Sequence, residues 1–207
     1  KVERIWKYRV QNYLLLYSVD EIKMQTSEFS ITLQLDDITT VKRRDCVELW
    51  DVYDINRTKT NRTWVRGKKL QPSDFHLVIH VCIFNSNGEM LIQQRQSFKE
   101  GWPNMWDLTV GGSAIAGDTS QMAAQRELLE ELGLQIDFQC ICPYLTINFE
   151  YGFDDIYLIE KDVDLHTLTL QYEEVQNVKW ASKNEIIEMI KNGEFIPYYE
   201  SLIHSLL

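Results

Sequence analysis

The chain has 207 residues, 44% hydrophobic and 25% charged, enough for one globular domain with a sizeable core, with or without an appendage. Its net charge of −10 argues against nucleic acid polymers and anionic membrane surfaces as partners, because both would repel it at long range. Four cysteines, Cys46, Cys82, Cys140 and Cys142, lack zinc-finger spacing, and neither a signal peptide nor an apolar run near the roughly 18 residues of a membrane span is visible. Reduced thiols in a cytoplasmic protein are the expectation.

Residues 1–45 read as an appendage. There "FSITLQL" alternates as a strand does, while "IWKYRVQNYLLLY" fits a strand or a short helix. The main domain, 46–207, follows. Its "FHLVIHVCIF" at 75–84 is a β-branched run closed by "NSNG", with another strand at 90–94, so Asn85 and Gly88 bound a hairpin turn. A strand at 106–110 leads into a turn at Gly111 and Gly112. After the helix behind that turn come strands at 138–149, where Cys140 and Cys142 would share a face, and at 156–160 and 175–181. Ser182 and Glu185 make a capping box before a helix at 186–191 that Gly193 stops, and a last helix begins at Pro197. Strands before and after one central helix predict an α/β class fold: a mixed sheet with helices on both faces.

The central helix carries the chemistry. At about 100° per residue, Glu130 and Glu131 fall about 300° and 40° from Glu127, so three carboxylates share an arc roughly 100° wide. Ala123 and Ala124 leave room beside them, and Met122, Leu128, Leu129 and Leu132 are expected to point the other way, into a core. Carboxylates this close would raise one another's pKa unless a divalent cation lay among them. Oxygen ligands suit Mg²⁺ first and Mn²⁺ second. A solvated helix face with i,i+4 charge support is the plainer reading of the same residues.

The segment from Gly112 to Leu134 resembles the signature of the Nudix hydrolases: G, five residues, E, seven residues, then R-E-U-x-E-E-x-G-U, with U apolar. Gly112 opens it, and Arg126, Glu127, Leu128, Glu130, Glu131, Gly133 and Leu134 fall in register; Asp118 stands where the family has Glu. The resemblance implies a Nudix-type α/β/α sandwich hydrolysing a small diphosphate substrate. It implies further that Glu130 and Glu131 ligate Mg²⁺ with the Gly111 carbonyl, and that Glu127 ligates or takes a proton from water. Glu174 would add a ligand from a later loop. Arg126 would position Asp118 or a catalytic Glu. Gly112, Asp118 and Gly133 hold the motif's shape, with Asp118 and Thr119 also reading as the helix N-cap and Gly133 as its stop. Arg95 is a candidate for a substrate phosphate or a surface ion pair. Trp102 and Trp106 could stack on a base, with Trp106 better placed as core.

From 47 onward the chain also resembles the part of that family similar to isopentenyl diphosphate isomerase. Those isomerases use a Cys in the strand ahead of the Gly turn, within "NTCCSHP"; here the residues are "WDLTVGGS", without a thiol, which favours hydrolysis. His76 aligns with a metal-binding His of the isomerases, although a lone His on a sheet is more often a packed residue. An isomerase-like enzyme is one alternative. The other is a non-catalytic binding module, which would be expected to lose a signature Glu. A homodimer is compatible with the sequence.

Overall fold

The computed structural model describes residues 47–207 throughout and, ahead of them, the backbone of four strands. The chain divides into two compact units, Lys1–Cys46 and Val47–Leu207. In the first, β1 (Trp6–Val10), β2 (Tyr13–Tyr17), β3 (Glu21–Gln25) and β4 (Ser30–Gln34) make an antiparallel sheet in sequence order. Both halves of "IWKYRVQNYLLLY" are therefore strand. Cys46 and the segments joining these strands lie outside the described residues.

The second unit opens with a hairpin, β5 (Leu49–Tyr53) against β6 (Lys59–Val65). Its main sheet is built on β7 (His76–Phe84). β8 (Met90–Arg95) follows through the expected turn, where the Asn85 side chain accepts from the amides of Asn87 and Glu89 at 3.0 and 2.9 Å. The remaining strands are β9 (Trp106–Asp107), β10 (Val110–Ser113), β11 (Leu145–Phe149), β12 (Gly152–Glu160) and β13 (Val175–Ala181). The spatial order is β11-β12-β7-β8-β13, with β10 paired to β7 and β9 to β8. β12 runs parallel to β7, from Gly152↔His76 to Glu160↔Phe84, and the other pairings are antiparallel, so the sheet is mixed.

β7 explains the layering. Leu77, Ile79, Val81 and Ile83 enter a core shared with helix α1 (Ser120–Leu132). Cys82 and Phe84, alternating with them, enter a second core shared with α2 (Lys183–Asn192) and α3 (Glu200–Leu206). A strand covered on both faces needs a near-continuous apolar run, which is what made it visible in the sequence. The result is the expected α/β/α sandwich. Among the described residues no helix is long and apolar enough to cross a membrane.

Four expectations are corrected. Gly111 and Gly112 are not a turn but part of β10, opposite His80 and Ile79 of β7; the chain turns afterwards, between Ser113 and the Thr119 N-cap. The strand expected over 138–149 occupies only Leu145–Phe149. Ahead of it the Asp137 carboxylate accepts the Gln139 amide at 2.9 Å and the Phe138 carbonyl accepts the Ile141 amide at 3.0 Å. Such local side-chain and turn bonds compete with a ladder. Cys140 and Cys142 are thus exposed free thiols on a loop rather than residues of one strand face, while Cys82 is a buried free thiol whose pKa burial raises.

The last helix begins at Glu200, not Pro197, because Phe195 forms a parallel bridge with Trp106 and the Ile196 amide donates to the Trp106 carbonyl at 2.9 Å. On α1, Met122 and Leu129 are 54% and 49% exposed, so they do not point into a core. The helix instead buries Ala123, Ala124, Leu128, Leu132 and, among them, Glu131. Small and apolar side chains flank an acidic one on the inward face, so dry and acidic sectors overlap.

Candidate active site

Helix α1 is fixed at both ends. Thr119 caps its start, accepting from the Met122 amide at 3.2 Å, and Gly133 closes it in the left-handed conformation with φ 67°. Inside the first turn, Ser120 donates to the fully buried Asp155 at 2.5 Å and accepts from Tyr157 at 2.7 Å. With the helix tied to β12, its inward carboxylates meet the sheet at one place.

Glu131 is 5% exposed, and its carboxylate accepts from Gln93 Nε2 at 2.9 Å. Among the described residues no cation pairs with it. Burial pushes its pKa well above the usual carboxylate range, and the neighbouring Glu127 charge adds to this, as do Glu174 and Asp107. Gln93 Oε1 beside it is buried without a partner among the described residues. Glu127 is raised to about 7, by burial first; Arg126 opposes the shift, while Glu130 and Glu48 add to it. Glu130 is the outlying member, its side chain 52% exposed.

Arg126 ties these groups together. It donates to Glu127 at 2.8 Å, to Glu130 at 3.2 Å, to the Ser113 carbonyl at 3.0 Å, and to one Asp118 oxygen from Nε and Nη2 at 3.3 and 3.2 Å. Asp118, shorter than Glu, reaches the guanidinium directly. The glycine pair works by close approach. A Cβ on Gly112 would sit 2.3 Å from Glu127 Cδ, and one on Gly111 2.6 Å from the His80 ring. Gly112→Ala is therefore expected to displace the Glu127 carboxylate and lower turnover at least about 10²-fold, the scale of misplacing a catalytic group. An unchanged circular dichroism spectrum with the lost rate would bear this out; wild-type turnover would show that Glu127 has no fixed role.

The other expected site residues scatter more. Glu174 is ion-paired to Lys99, yet its charge is felt at Glu131. Arg95 is occupied, donating to the Gly101 carbonyl at 3.0 Å with Asp107 at 3.6 Å. Trp102 lies on the loop after β8, 50% exposed and with φ 50°. Trp106 packs against the second core under Lys179, 4.8 Å from its ring centroid, as expected of core. His76 stacks on Trp50 at 4.4 Å between centroids, and its Nδ1 lies 2.9 Å from the Tyr151 carbonyl. It is a packed residue.

Two groups were missed by the sequence reading. One is a part-buried chain behind β10: Asp154 contacts His80 Nδ1 at 2.9 Å, His80 Nε2 meets the Tyr198 hydroxyl at 3.2 Å, and that hydroxyl donates to Asp107 at 2.8 Å. Burial alone would lower the His80 pKa, but Asp154, with Asp107 and Glu131, raises it to about 9. His80 and Asp154 were visible as polar breaks in apolar strands; Tyr198, far along the chain, offered no signal. The other group is Glu48 and Arg66 on the β5–β6 hairpin.

Comparison with known proteins settles the family. The NUDIX domain model matches residues 74–200. The chain belongs to the Nudix family. This Nudix chain is 52% identical over 153 residues to an uncharacterised Nudix hydrolase of Listeria monocytogenes, spanning 74% of this chain and 90% of that protein. Similarity to the isopentenyl-diphosphate delta-isomerase of Salmonella heidelberg is weaker, 27% over 114 residues, covering 51% of this chain and 61% of that one. The fold matches a Deinococcus radiodurans crystal structure with a TM-score of 0.65 at 22% identity, over 77% of this chain and 99% of that chain. As a Nudix hydrolase it acts on phosphoric anhydrides.

Proposed function

We propose that this Nudix hydrolase is a Mg²⁺-dependent pyrophosphohydrolase, cleaving the diphosphate linkage of a nucleoside diphosphate derivative, with residues 46–207 carrying the reaction. The observation that carries this is the buried Glu131 carboxylate, placed near Glu127 and, among the described residues, paired to no cation. A buried carboxylate beside a part-buried one, both with raised proton affinity, fits a hard dication, whose binding would offset their repulsion. Among the described residues no three His, Cys, Asp or Glu side chains form a ready metal cage, so water and substrate oxygens would complete the shell.

Glu130, Glu131 and the Gly111 carbonyl would hold Mg²⁺, or Mn²⁺, with Glu127 ligating it or standing against a bound water and Glu174 contributing from the loop before β13. When bound, the ion supplies charge stabilisation to the diphosphate and acidifies its water. Glu127, near neutrality in its proton affinity, suits the removal of a proton from the attacking water. That water's oxygen forms the new bond to phosphorus as the bridging P–O bond breaks, and the freed phosphate or nucleotide departs. Arg126 holds the Glu127 carboxylate and Asp118 in place throughout. A panel of nucleoside diphosphate derivatives, assayed with Mg²⁺ or Mn²⁺ for released phosphate and nucleotide, tests the reading. Hydrolysis of at least one member is expected; none cleaved under either metal would reject it.

Isomerisation is disfavoured by the strand ahead of Gly112. The Thr109 hydroxyl is buried, accepting from the Ile83 amide and donating to the Leu91 carbonyl. A side chain at 111 would meet His80. Isopentenyl diphosphate incubated with the protein in deuterated water is expected to gain no deuterium at its allylic positions. Deuterium there, or dimethylallyl diphosphate accumulating, would overturn the hydrolase reading in favour of carbon acid-base chemistry.

A further inference from the structure

The β5–β6 hairpin lies before the segment that matches the NUDIX domain, yet it is fastened to the loop between Gly112 and α1. The Leu49 carbonyl accepts the Ala116 amide at 2.7 Å, and Asp51 accepts the Gly117 amide at 2.9 Å. Lys59 bridges Asp51 at 2.6 Å and the Asp118 carbonyl at 3.1 Å. At the hairpin's open end the Arg66 amide donates to the Glu48 carbonyl at 3.0 Å, and the Arg66 guanidinium donates to the Glu48 carboxylate at 2.7 Å. The Trp50 indole N–H holds the other Glu48 oxygen at 2.6 Å, so Glu48 is clamped from two sides.

Arg66 differs from the other cations near the carboxylates. Arg126 is spent on four acceptor groups, Arg95 on Asp107 and a carbonyl, Lys99 on Glu174, and Lys59 on Asp51 and a carbonyl. Arg66 keeps 58% of its side chain exposed and, among the described residues, bonds through one nitrogen to Glu48 alone. The rest of its fork is free for an anion. It also lies within electrostatic reach of the site: its charged form is favoured first by the Glu48 hydrogen bond, against burial, and further by the charges of Glu48, Glu174 and Glu127.

We propose that Arg66, aimed by Glu48, is a substrate-binding residue that takes a phosphate of the diphosphate group, making the β5–β6 hairpin one wall of the active site. A substrate with two anionic phosphates approaching Glu131, with the charges of Glu127 and Glu174 nearby, needs positive charge on the side away from the metal. A fork-shaped guanidinium meets phosphate oxygens bidentately. This rests on the pyrophosphohydrolase reading above.

The test compares wild type with Arg66→Ala, Arg66→Lys and Glu48→Gln, using steady-state kinetics on a cleaved substrate. It adds calorimetric titration of methylenebisphosphonate, a non-hydrolysable diphosphate, in Mg²⁺. Arg66→Ala is expected to raise KM and the bisphosphonate Kd about 10- to 100-fold, the scale of losing a charge-assisted contact, while kcat stays within about threefold. Arg66→Lys should recover part of the loss, since charge is kept and the fork is not, and Glu48→Gln should give a smaller rise in KM. Equal bisphosphonate binding by wild type and Arg66→Ala, no binding by either, or a fall in kcat with KM unchanged overturns the assignment. If bisphosphonate binding depends on Arg66 but no diphosphate is hydrolysed, the phosphate site stands and the pyrophosphohydrolase reading fails.

Discussion

Glu131→Gln is expected to lower turnover by about 10²- to 10⁴-fold, the range for removing a positioned charge-stabilising or acid-base group, without loosening the fold. Most buried side chains resist substitution, but this one is a carboxylate buried on the inward face of α1, where other carboxylates are its charged neighbours. Ionising it there is costly, as its raised pKa shows. A neutral amide of the same shape removes that cost. It keeps an acceptor for Gln93 Nε2 and brings a donor beside Gln93 Oε1, which lacks a partner among the described residues. In chelator the variant should melt at or above the wild-type temperature at pH 8, where ionisation of the buried acid is most demanding. Loss of activity with a clearly lower melting temperature would mean that Glu131 is a structural residue. Turnover above a third of wild type would mean that the reaction happens elsewhere.

The fate of Glu131 also shows how far the sequence could be read. The spacing of Glu127, Glu130 and Glu131 on one helix, and the Gly112 that precedes them, were local patterns, and local patterns survive folding. Which way the helix faced was not local. Met122 and Leu129 carried the same apolar signal as Leu128 and Leu132, but α1 has one sheet to cover, and the carboxylates claimed part of the inward arc. The Gly111 and Gly112 pair looked like a turn because glycines so often mark one; here they are strand residues kept bare so that His80 can approach from one side and Glu127 from the other. That reason is visible only when β7 and α1 are both in place. His80, Asp154, Tyr198 and Asp107 come from four separate stretches of chain, and no spacing announces such a network. Arg66 was legible as one more basic residue in a polar stretch, and only the hairpin's bonds to the loop before α1 distinguish it.

Removing divalent metal is expected to bring hydrolysis to background, and the stability of the metal-free protein should reveal why. Glu127 holds its proton up to about pH 7 in the folded chain, against an ordinary value of 4.5. The folded state therefore binds this proton more tightly than the unfolded state. Its contribution to stability, roughly 3 kcal/mol, is full below about pH 4.5 and is lost as pH rises through 7. His80, raised from 6.5 to about 9, loses its contribution in the same direction but at higher pH, between those two values. Melting curves in chelator at pH 5 and 7, run beside Glu127→Gln, separate the two: the wild type should fall relative to the variant over this interval, since the variant has no proton to lose. Mg²⁺ should then raise the wild-type melting temperature little at pH 5, where protons compete for Glu127 and Glu131, and by several degrees at pH 8, because a ligand that binds only the folded state stabilises it by mass action. The same increment in Glu127→Gln as in wild type would remove Glu127 from the metal site. Activity that persists in chelator would remove the metal from the reaction and leave the carboxylate pair of α1 without the partner that its burial demands.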